Sequence, residues 1–449
     1  MSVNTIINYL VQPAGGSPDR RFQGEITVPG DKSISHRSIM FGSLAKGKSE
    51  IEGFLEGEDS LATLNAFSQM GVDISGPDNG RLVIEGVGMH GLEAPDSPLD
   101  LGNSGTSMRL MSGLLSGQEF KTILVGDSSL SGRPMKRVTQ PLADMGASID
   151  TDANGTAPLK INGNNQLRGI EYDMPIASAQ VKSCLLLAGM YASGKTCVTE
   201  PGVTRDHTER MLKAFGYPVE VSGNKVCIEG GHELTACSIQ IPADISSAAF
   251  FLVGASICPG SNLLIKNIGI NPTRTGVIDI LKLMGANLSL ENERMFGGEP
   301  VADIRVQYSE LKGINIPEEL VPLAIDEFPV LFVAAACAQG QTILTGAKEL
   351  RVKESDRIQA MADGLVTLGI DAKSTEDGII IQGGQLGGGT VKSFDDHRIA
   401  MAFTIAGLRA NEQIKIMDCA NVATSFPGFV KLVNLIGLKT EAIAETGEQ

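Results

Sequence analysis

The chain has 449 residues, more than one hydrophobic core ordinarily serves, so two domains of roughly 200 residues each are expected. Apolar residues make up 42% and charged residues 20%, which excludes a disordered chain, and 53 glycines point to tight turns and close backbone approaches. A formal charge of −15, aromatics at 4% and the absence of Trp argue against nucleic acid and anionic membranes as partners. Any anion site must then gather its Arg and Lys locally. The 7 cysteines stand singly with no CxxC pair, which reads as reduced, mostly buried thiols. No leader-like segment or long apolar run appears, so a soluble cytoplasmic protein is expected, and with no His/Cys cluster suited to zinc, one without metal or cofactor.

Six segments along the chain share one form: an amphipathic helical pattern, a bulky apolar residue, a glycine, then alternating residues. They close at Met70-Gly71, Met145-Gly146, Phe215-Gly216, Met284-Gly285, Leu368-Gly369 and Ile436-Gly437. The pattern predicts a helix stopped by a C′ glycine and followed by a strand. Between them lie Ala-, Gly- and Ser-rich helical patterns without a polar face, such as 179–190, 246–257, 328–338 and 399–408, which belong inside a packed structure. The expected fold is α/β: two domains of three units each, packed around buried helices.

Polar clusters open the buried helices. In chain order they are Lys32-Ser33-Ile34-Ser35-His36-Arg37, Asn103-Ser104-Gly105-Thr106, Ser178-Ala179-Gln180, Asp244-Ile245-Ser246-Ser247, Asp326-Glu327 and Asp395-Asp396-His397-Arg398. Singly, their Ser, Asp and Asn read as N-caps. Recurring together with Lys, Arg and Gln, they read as helix starts that attract phosphate and carboxylate in one cleft. Two further segments add charge: Arg133-Pro134-Met135-Lys136-Arg137 after a glycine turn, and Arg351-Val352-Lys353-Glu354-Ser355-Asp356-Arg357. The latter is either a self-paired helix start or a general acid beside anion-binding cations.

The segments 29–37, 102–109, 133–136, 351–357 and 396–398 occur in the order of, and closely resemble, the signature segments of the 5-enolpyruvylshikimate-3-phosphate synthase family, and the resemblance covers about residues 22–437. The Ser178-Ala179-Gln180 and Thr204-Arg205-Asp206-His207 forms resemble its divergent second class. The resemblance implies an enolpyruvyl transferase fold of two inverted α/β domains, each of three βαβαββ units. It implies transfer of enolpyruvate from phosphoenolpyruvate to the 5-hydroxyl of shikimate 3-phosphate, with glyphosate as an inhibitor, by a monomer.

Carried over by position, Lys32, Ser33, Arg37, Ser178, Ala179, Gln180, Arg205, Asp326 and Lys353 would hold shikimate 3-phosphate. Lys32, Gly105, Thr106, Arg133, Gln180, Arg357 and Arg398 would hold phosphoenolpyruvate. Asp326 would act as base on the attacking hydroxyl and Glu354 would protonate the methylene, with Lys32 beside them. Thr424 stands where many members carry a Lys, so one phosphoenolpyruvate contact is lost or supplied by another cation such as Lys136. Two rivals remain: the sister enzyme acting on a UDP-amino sugar, disfavoured because Ser128–Arg133 lacks its Cys, and a non-enzymatic repeat scaffold. The expected domains are 31–243, mainly for shikimate 3-phosphate, and 1–30 with 244–449, for acid–base catalysis and phosphoenolpyruvate.

Overall fold

The computed structural model describes residues 5–13, 21–163 and 166–446. In chain order its α-helices are α1 (Lys32–Leu44), α2 (Glu58–Gln69), α3 (Gly105–Ser116), α4 (Ser128–Ser131), α5 (Lys136–Asp144), α6 (Ala179–Gly189), α7 (His207–Ala214), α8 (Ile245–Ile257), α9 (Gly276–Leu283), α10 (Phe328–Ala336), α11 (Arg357–Thr367), α12 (His397–Ala406) and α13 (Phe429–Leu435). Helices α1, α3, α6, α8, α10 and α12 are the apolar kind, and every residue of α8, α10 and α12 is buried. Helices α2, α5, α7, α9, α11 and α13 are the amphipathic kind. Each of these ends at the expected apolar residue, and the glycine that follows has positive φ, from 80° at Gly216 to 119° at Gly437. A β-carbon is strained in that left-handed region, which is why glycine stops the helix there.

Five buried helices carry a side-chain cap, four of them within the named clusters and the fifth, on α1, at Asp31 just before its cluster. The side chains of Asp31, Ser104, Ser178, Asp244 and Asp396 accept from the backbone N–H of Ile34, Ser107, Val181, Ser246 and Arg398. The sixth, α10, has Glu327 at its N-cap position without a side-chain cap bond.

Among the described residues the strands form six sheets, most of them on one plan. In one, Leu99–Asp100 runs parallel to Lys121–Val125, the strand after the buried helix α3. That strand pairs antiparallel with Leu159–Asn162, which pairs antiparallel with Ser148–Asp150, the strand after the amphipathic α5. Each sheet therefore covers a buried helix with alternating side chains. In the last sheet the N-terminal strand Thr5–Val11 takes the third place, between Ile414–Met417 and Thr440–Thr446, with Tyr9 opposite both Ile416 and Ala442. The sheet of Gln341–Leu344 lacks a parallel strand and has the isolated bridges Lys312↔Gln339 and Asn315↔Ile343 in its stead.

The chain divides into two compact units. Unit one is Met1–Pro29, Ala243–Arg294 and Pro300–Gln449; unit two is Gly30–Pro242 with Met295–Glu299. Each has its own apolar core. In unit one, Phe251 packs against Phe22, Phe426 and Phe429 with ring centroids 6.0–6.1 Å apart. Fully burying such a ring stabilises by about 1.5–3 kcal/mol.

Two expectations need correction. The expected domains, 31–243 against 1–30 with 244–449, did not separate Met295–Glu299, which groups with unit two. There Glu299 Oε1 lies 2.9 Å from His207 Nδ1, and Arg210 donates to Gly298 O at 2.9 Å. Nor are all the cysteines thiols: Cys197 and Cys227 form a disulfide, being directly opposite in the antiparallel pair Lys195–Thr199 and Lys225–Glu229. Their separation of 30 residues hid the pairing, which only strand register creates. Among the described residues no helix is long and apolar enough to cross a membrane.

Candidate active site

Unit two gathers cations at the starts of three buried helices. At α1, Lys32 Nζ forms an ion pair with Asp59 of α2 at 3.0 Å, while Ser33 is half-buried beside it. At α3, Arg133 follows the short helix α4 and its guanidinium donates to Asn103 Oδ1 at 2.6 Å and Ser129 Oγ at 3.2 Å. A β-carbon at Gly105 would stand 3.0 Å from Arg133 Nη1 and 3.6 Å from Arg109 Nη1, so glycine lets two guanidinium groups approach the helix start. At α6, Gln180 donates to Thr106 Oγ1 at 3.0 Å and accepts from Arg109. Gly105, Thr106, Arg133 and Gln180 thus meet at one place.

Arg37 stands apart from this group. It is 4% exposed and donates to Thr208 Oγ1, Ser183 Oγ and Ser33 O at 2.7, 2.8 and 2.9 Å. Its guanidinium braces α1 from beneath. Ser178 caps α6, Ala179 opens that helix, and the half-buried Arg205 lies just before α7.

Unit one holds a second cluster. Asp326, just before α10, takes Lys353 Nζ at 3.2 Å and Arg357 Nη1 at 3.3 Å on one oxygen. Glu354 pairs with Arg357 Nη2 at 2.6 Å. Asp396, fully buried, accepts Arg357 Nε at 2.8 Å and Nη2 at 3.3 Å. Arg398 donates to the Asp326 carbonyl at 2.9 Å. Asp326, Lys353, Glu354, Arg357 and Arg398 are therefore one linked set.

Burial works against the Arg357 charge, yet Asp396, Glu354 and Asp326 together hold its pKa above the ordinary guanidinium range. A permanently charged, immobilised arginine is the result. The backbone leading to Arg398 is strained, because Phe394 and Asp395 both have φ of 55°.

Both readings of 351–357 hold in part. Arg351 pairs with Asp356 at 2.6 Å, the self-paired helix start, while Lys353 and Glu354 turn to Asp326 and Arg357. Thr424 is 4% exposed and donates to Asn421 O at 2.7 Å, so its side chain serves the local turn. Lys136 is exposed at the start of α5.

Several residues escaped sequence reasoning. Asp59 sits in a helix start that carries no sign of a partner for Lys32. Arg274 is 3% exposed and donates to Asp244 Oδ1 at 3.1 Å and Ser246 Oγ at 2.6 Å. It belongs to an unremarkable loop, Pro272–Thr275. Glu327 is part of the polar cluster that opens α10, but the sequence does not show its partners: it is 2% exposed, accepts from Ser246 Oγ and lies 3.9 Å from Arg274 and 3.8 Å from Arg398. Among the described residues no group of three or more His, Cys, Asp or Glu could hold a metal ion.

The chain matches the family EPSP synthase (3-phosphoshikimate 1-carboxyvinyltransferase) over residues 17–432. It is 66% identical to the 3-phosphoshikimate 1-carboxyvinyltransferase of Methylococcus capsulatus, covering 94% of this chain and 97% of that protein. The corresponding protein of Alkalilimnicola ehrlichii is 63% identical, with 96% of each chain covered. Among solved structures, EPSP synthase from Acinetobacter baumannii is similar with a TM-score of 0.87 and 59% identity, covering 97% of this chain and 100% of that one. The enolpyruvyl transferase NikO from Streptomyces tendae shares the fold, with a TM-score of 0.79 at 15% identity, covering 98% of this chain and all of that one. With a recurring α/β unit, two sets of clustered arginines and carboxylates, and relatives matched over nearly their whole length, this chain belongs to the EPSP synthase (3-phosphoshikimate 1-carboxyvinyltransferase) family.

Proposed function

We propose that this protein transfers the enolpyruvyl group of phosphoenolpyruvate to the 5-hydroxyl of shikimate 3-phosphate and releases inorganic phosphate, a step of the shikimate pathway. The observation that best supports this reading is the linked set in unit one, where two carboxylates, Asp326 and Glu354, share Arg357 and Asp326 also holds Lys353. Glu354 is the general acid: it protonates the methylene carbon of the enol phosphate, and the neighbouring carbon becomes electrophilic. Asp326 takes the proton of the 5-hydroxyl as that oxygen adds, giving a tetrahedral ketal phosphate. Loss of phosphate and of a methyl proton then restores the enol ether.

Both reactants are multiply anionic, so fixed cations are the main catalytic resource. Unit two supplies Lys32, Ser33, Ser178, Ala179, Gln180 and Arg205 to shikimate 3-phosphate, with Arg37 beneath them. The family resemblance assigns phosphoenolpyruvate to Gly105, Thr106, Arg133, Gln180, Arg357 and Arg398, with Lys32. Lys353 steadies the Asp326 carboxylate. Glyphosate, also an anion, competes for the phosphoenolpyruvate groups, and the enzyme acts as a monomer.

The test is phosphate release from phosphoenolpyruvate, which should depend strictly on shikimate 3-phosphate. Glu354→Gln should bind shikimate 3-phosphate normally while turnover falls at least about 100-fold, the scale of losing a general acid. Release that ignores the acceptor, or full turnover by Glu354→Gln, refutes the assignment. An enzyme indifferent to millimolar glyphosate removes only the inhibitor claim.

A further inference from the structure

Beneath the helix starts of unit two lie buried polar groups that, Arg37 apart, none of these roles uses. Lys182 of α6 is 1% exposed, yet its ammonium pairs with Glu200 at 3.0 Å and Glu209 of α7 at 2.6 Å. Glu200, which follows the strand Lys195–Thr199, also accepts from Thr204 Oγ1. One residue along α6, Ser183 Oγ lies 2.7 Å from Thr208 Oγ1 of α7, and Arg37 of α1 donates to both hydroxyls. Two buried networks, one of Lys182 with Glu200 and Glu209 and one of Arg37 with Ser183 and Thr208, therefore join α6 to α7 at adjacent positions.

Stability alone does not account for this cluster. Buried ion pairs are often no more stabilising than apolar residues of the same volume, because desolvation offsets their attraction. What such a network does well is fix geometry, since each partner has few ways to satisfy its charge. The elements it joins are informative. Helix α1 begins with Lys32 and Ser33, α6 begins with Ala179 and Gln180 after its cap Ser178, and Arg205 lies between Thr204 and α7. Those are the groups assigned to the acceptor and its phosphate.

We infer that Lys182, Glu200, Glu209, Ser183 and Thr208 are positioning residues that lock α1, α6 and the 200–206 loop into a phosphate-recognising arrangement, and so set the preference for shikimate 3-phosphate over unphosphorylated shikimate. The inference rests on the proposed function and deepens it: selectivity for a phosphate monoester is built one layer below the groups that touch it. A phosphate needs several donors converging within a few tenths of an ångström, whereas the ring hydroxyls tolerate looser placement.

Calorimetric titration of the full chain with shikimate 3-phosphate and with shikimate tests this. The variants are Thr208→Val, isosteric and lacking the shared hydroxyl, and the charge-balanced pair Lys182→Met with Glu209→Gln. The expected result is a selectivity ratio lowered about tenfold in the double variant and at least about threefold in Thr208→Val, the scale of misplacing a charge-assisted hydrogen bond. Lys182→Arg, which keeps the charge, should recover part of the ratio. An unchanged ratio in a folded Thr208→Val overturns the inference even if the double variant fails to fold. So does equal weakening for both ligands, which marks a merely structural cluster. If the unaltered protein binds neither ligand, the proposed function itself falls and this inference with it; if it binds both equally, only the inference falls.

Discussion

Neutralising Asp396 should cost unit one a large part of its stability, and the magnitude can be worked from the geometry. Arg357 is 1% exposed and Asp396 fully buried, with 2.8 Å between Nε and Oδ2. At an effective dielectric of about 20, charges roughly 3 Å apart attract by about 5 kcal/mol. Asp396→Asn removes that attraction, but Arg357 keeps Glu354 at 2.6 Å and Asp326 at 3.3 Å. The asparagine oxygen can also still cap α12 through the Arg398 N–H, now 2.9 Å away. The net loss should therefore lie at the lower end of the range for a broken buried pair, about 3 kcal/mol. For a unit of roughly 200 residues this lowers the melting temperature by about 6–12 °C.

Function should suffer in parallel, because Arg357 would lean toward the two remaining carboxylates. The KM for phosphoenolpyruvate should rise at least about tenfold, while affinity for shikimate 3-phosphate, assigned mainly to unit two, stays within about twofold. Differential scanning calorimetry and steady-state kinetics give both readouts. A melting temperature within about 2 °C of the unaltered protein, with unchanged KM, would refute the view that Asp396 is the principal anchor of Arg357.

Two other perturbations test different parts of the structure. Burial, and then the cations Lys32 and Arg37, hold the His36 imidazole down at about 3, while its Nδ1 sits 2.8 Å from Thr63 Oγ1. Below pH 6.5 the unfolded chain takes up a proton there and the native state does not, so stability falls as pH drops toward 3. Between pH 7 and pH 5 this contributes about 2 kcal/mol of destabilisation, which His36→Gln should abolish in paired urea titrations; identical pH slopes for the two proteins would contradict it. Gly105→Ala would place a β-carbon 3.0 Å from Arg133 Nη1 and push that guanidinium off Asn103. The KM for phosphoenolpyruvate and the inhibition constant for glyphosate should both rise about tenfold or more, with affinity for shikimate 3-phosphate unchanged; unchanged values for both would show that Arg133 has room to yield.

Much of the local architecture was legible in the sequence because it depends on neighbours in the chain. The left-handed glycines at 71, 146, 216, 285, 369 and 437 follow from the need to stop an amphipathic helix without a β-carbon. The caps at Ser104, Ser178, Asp244 and Asp396 follow from unpaired N–H groups at helix starts, whereas the α1 cap falls on Asp31, one residue before the cluster read for it. Likewise, the segment 351–357 announced a charge cluster, though not how its two readings would divide between Arg351 and Glu354.

Only tertiary structure decided which charges meet. Lys32 with Asp59, Lys182 with Glu200 and Glu209, and Arg274 with Asp244 join different elements, and no period or motif encodes such a pairing. The same holds for Cys197 opposite Cys227, set by strand register, and for Thr5–Val11 filling the last sheet beside residues more than 400 positions away, such as Asn8 accepting from the Asp418 N–H. Sequence specifies the pieces through backbone chemistry that acts over a few residues. Packing specifies the partners, because a buried charge must find its counter-ion wherever the fold brings one within reach.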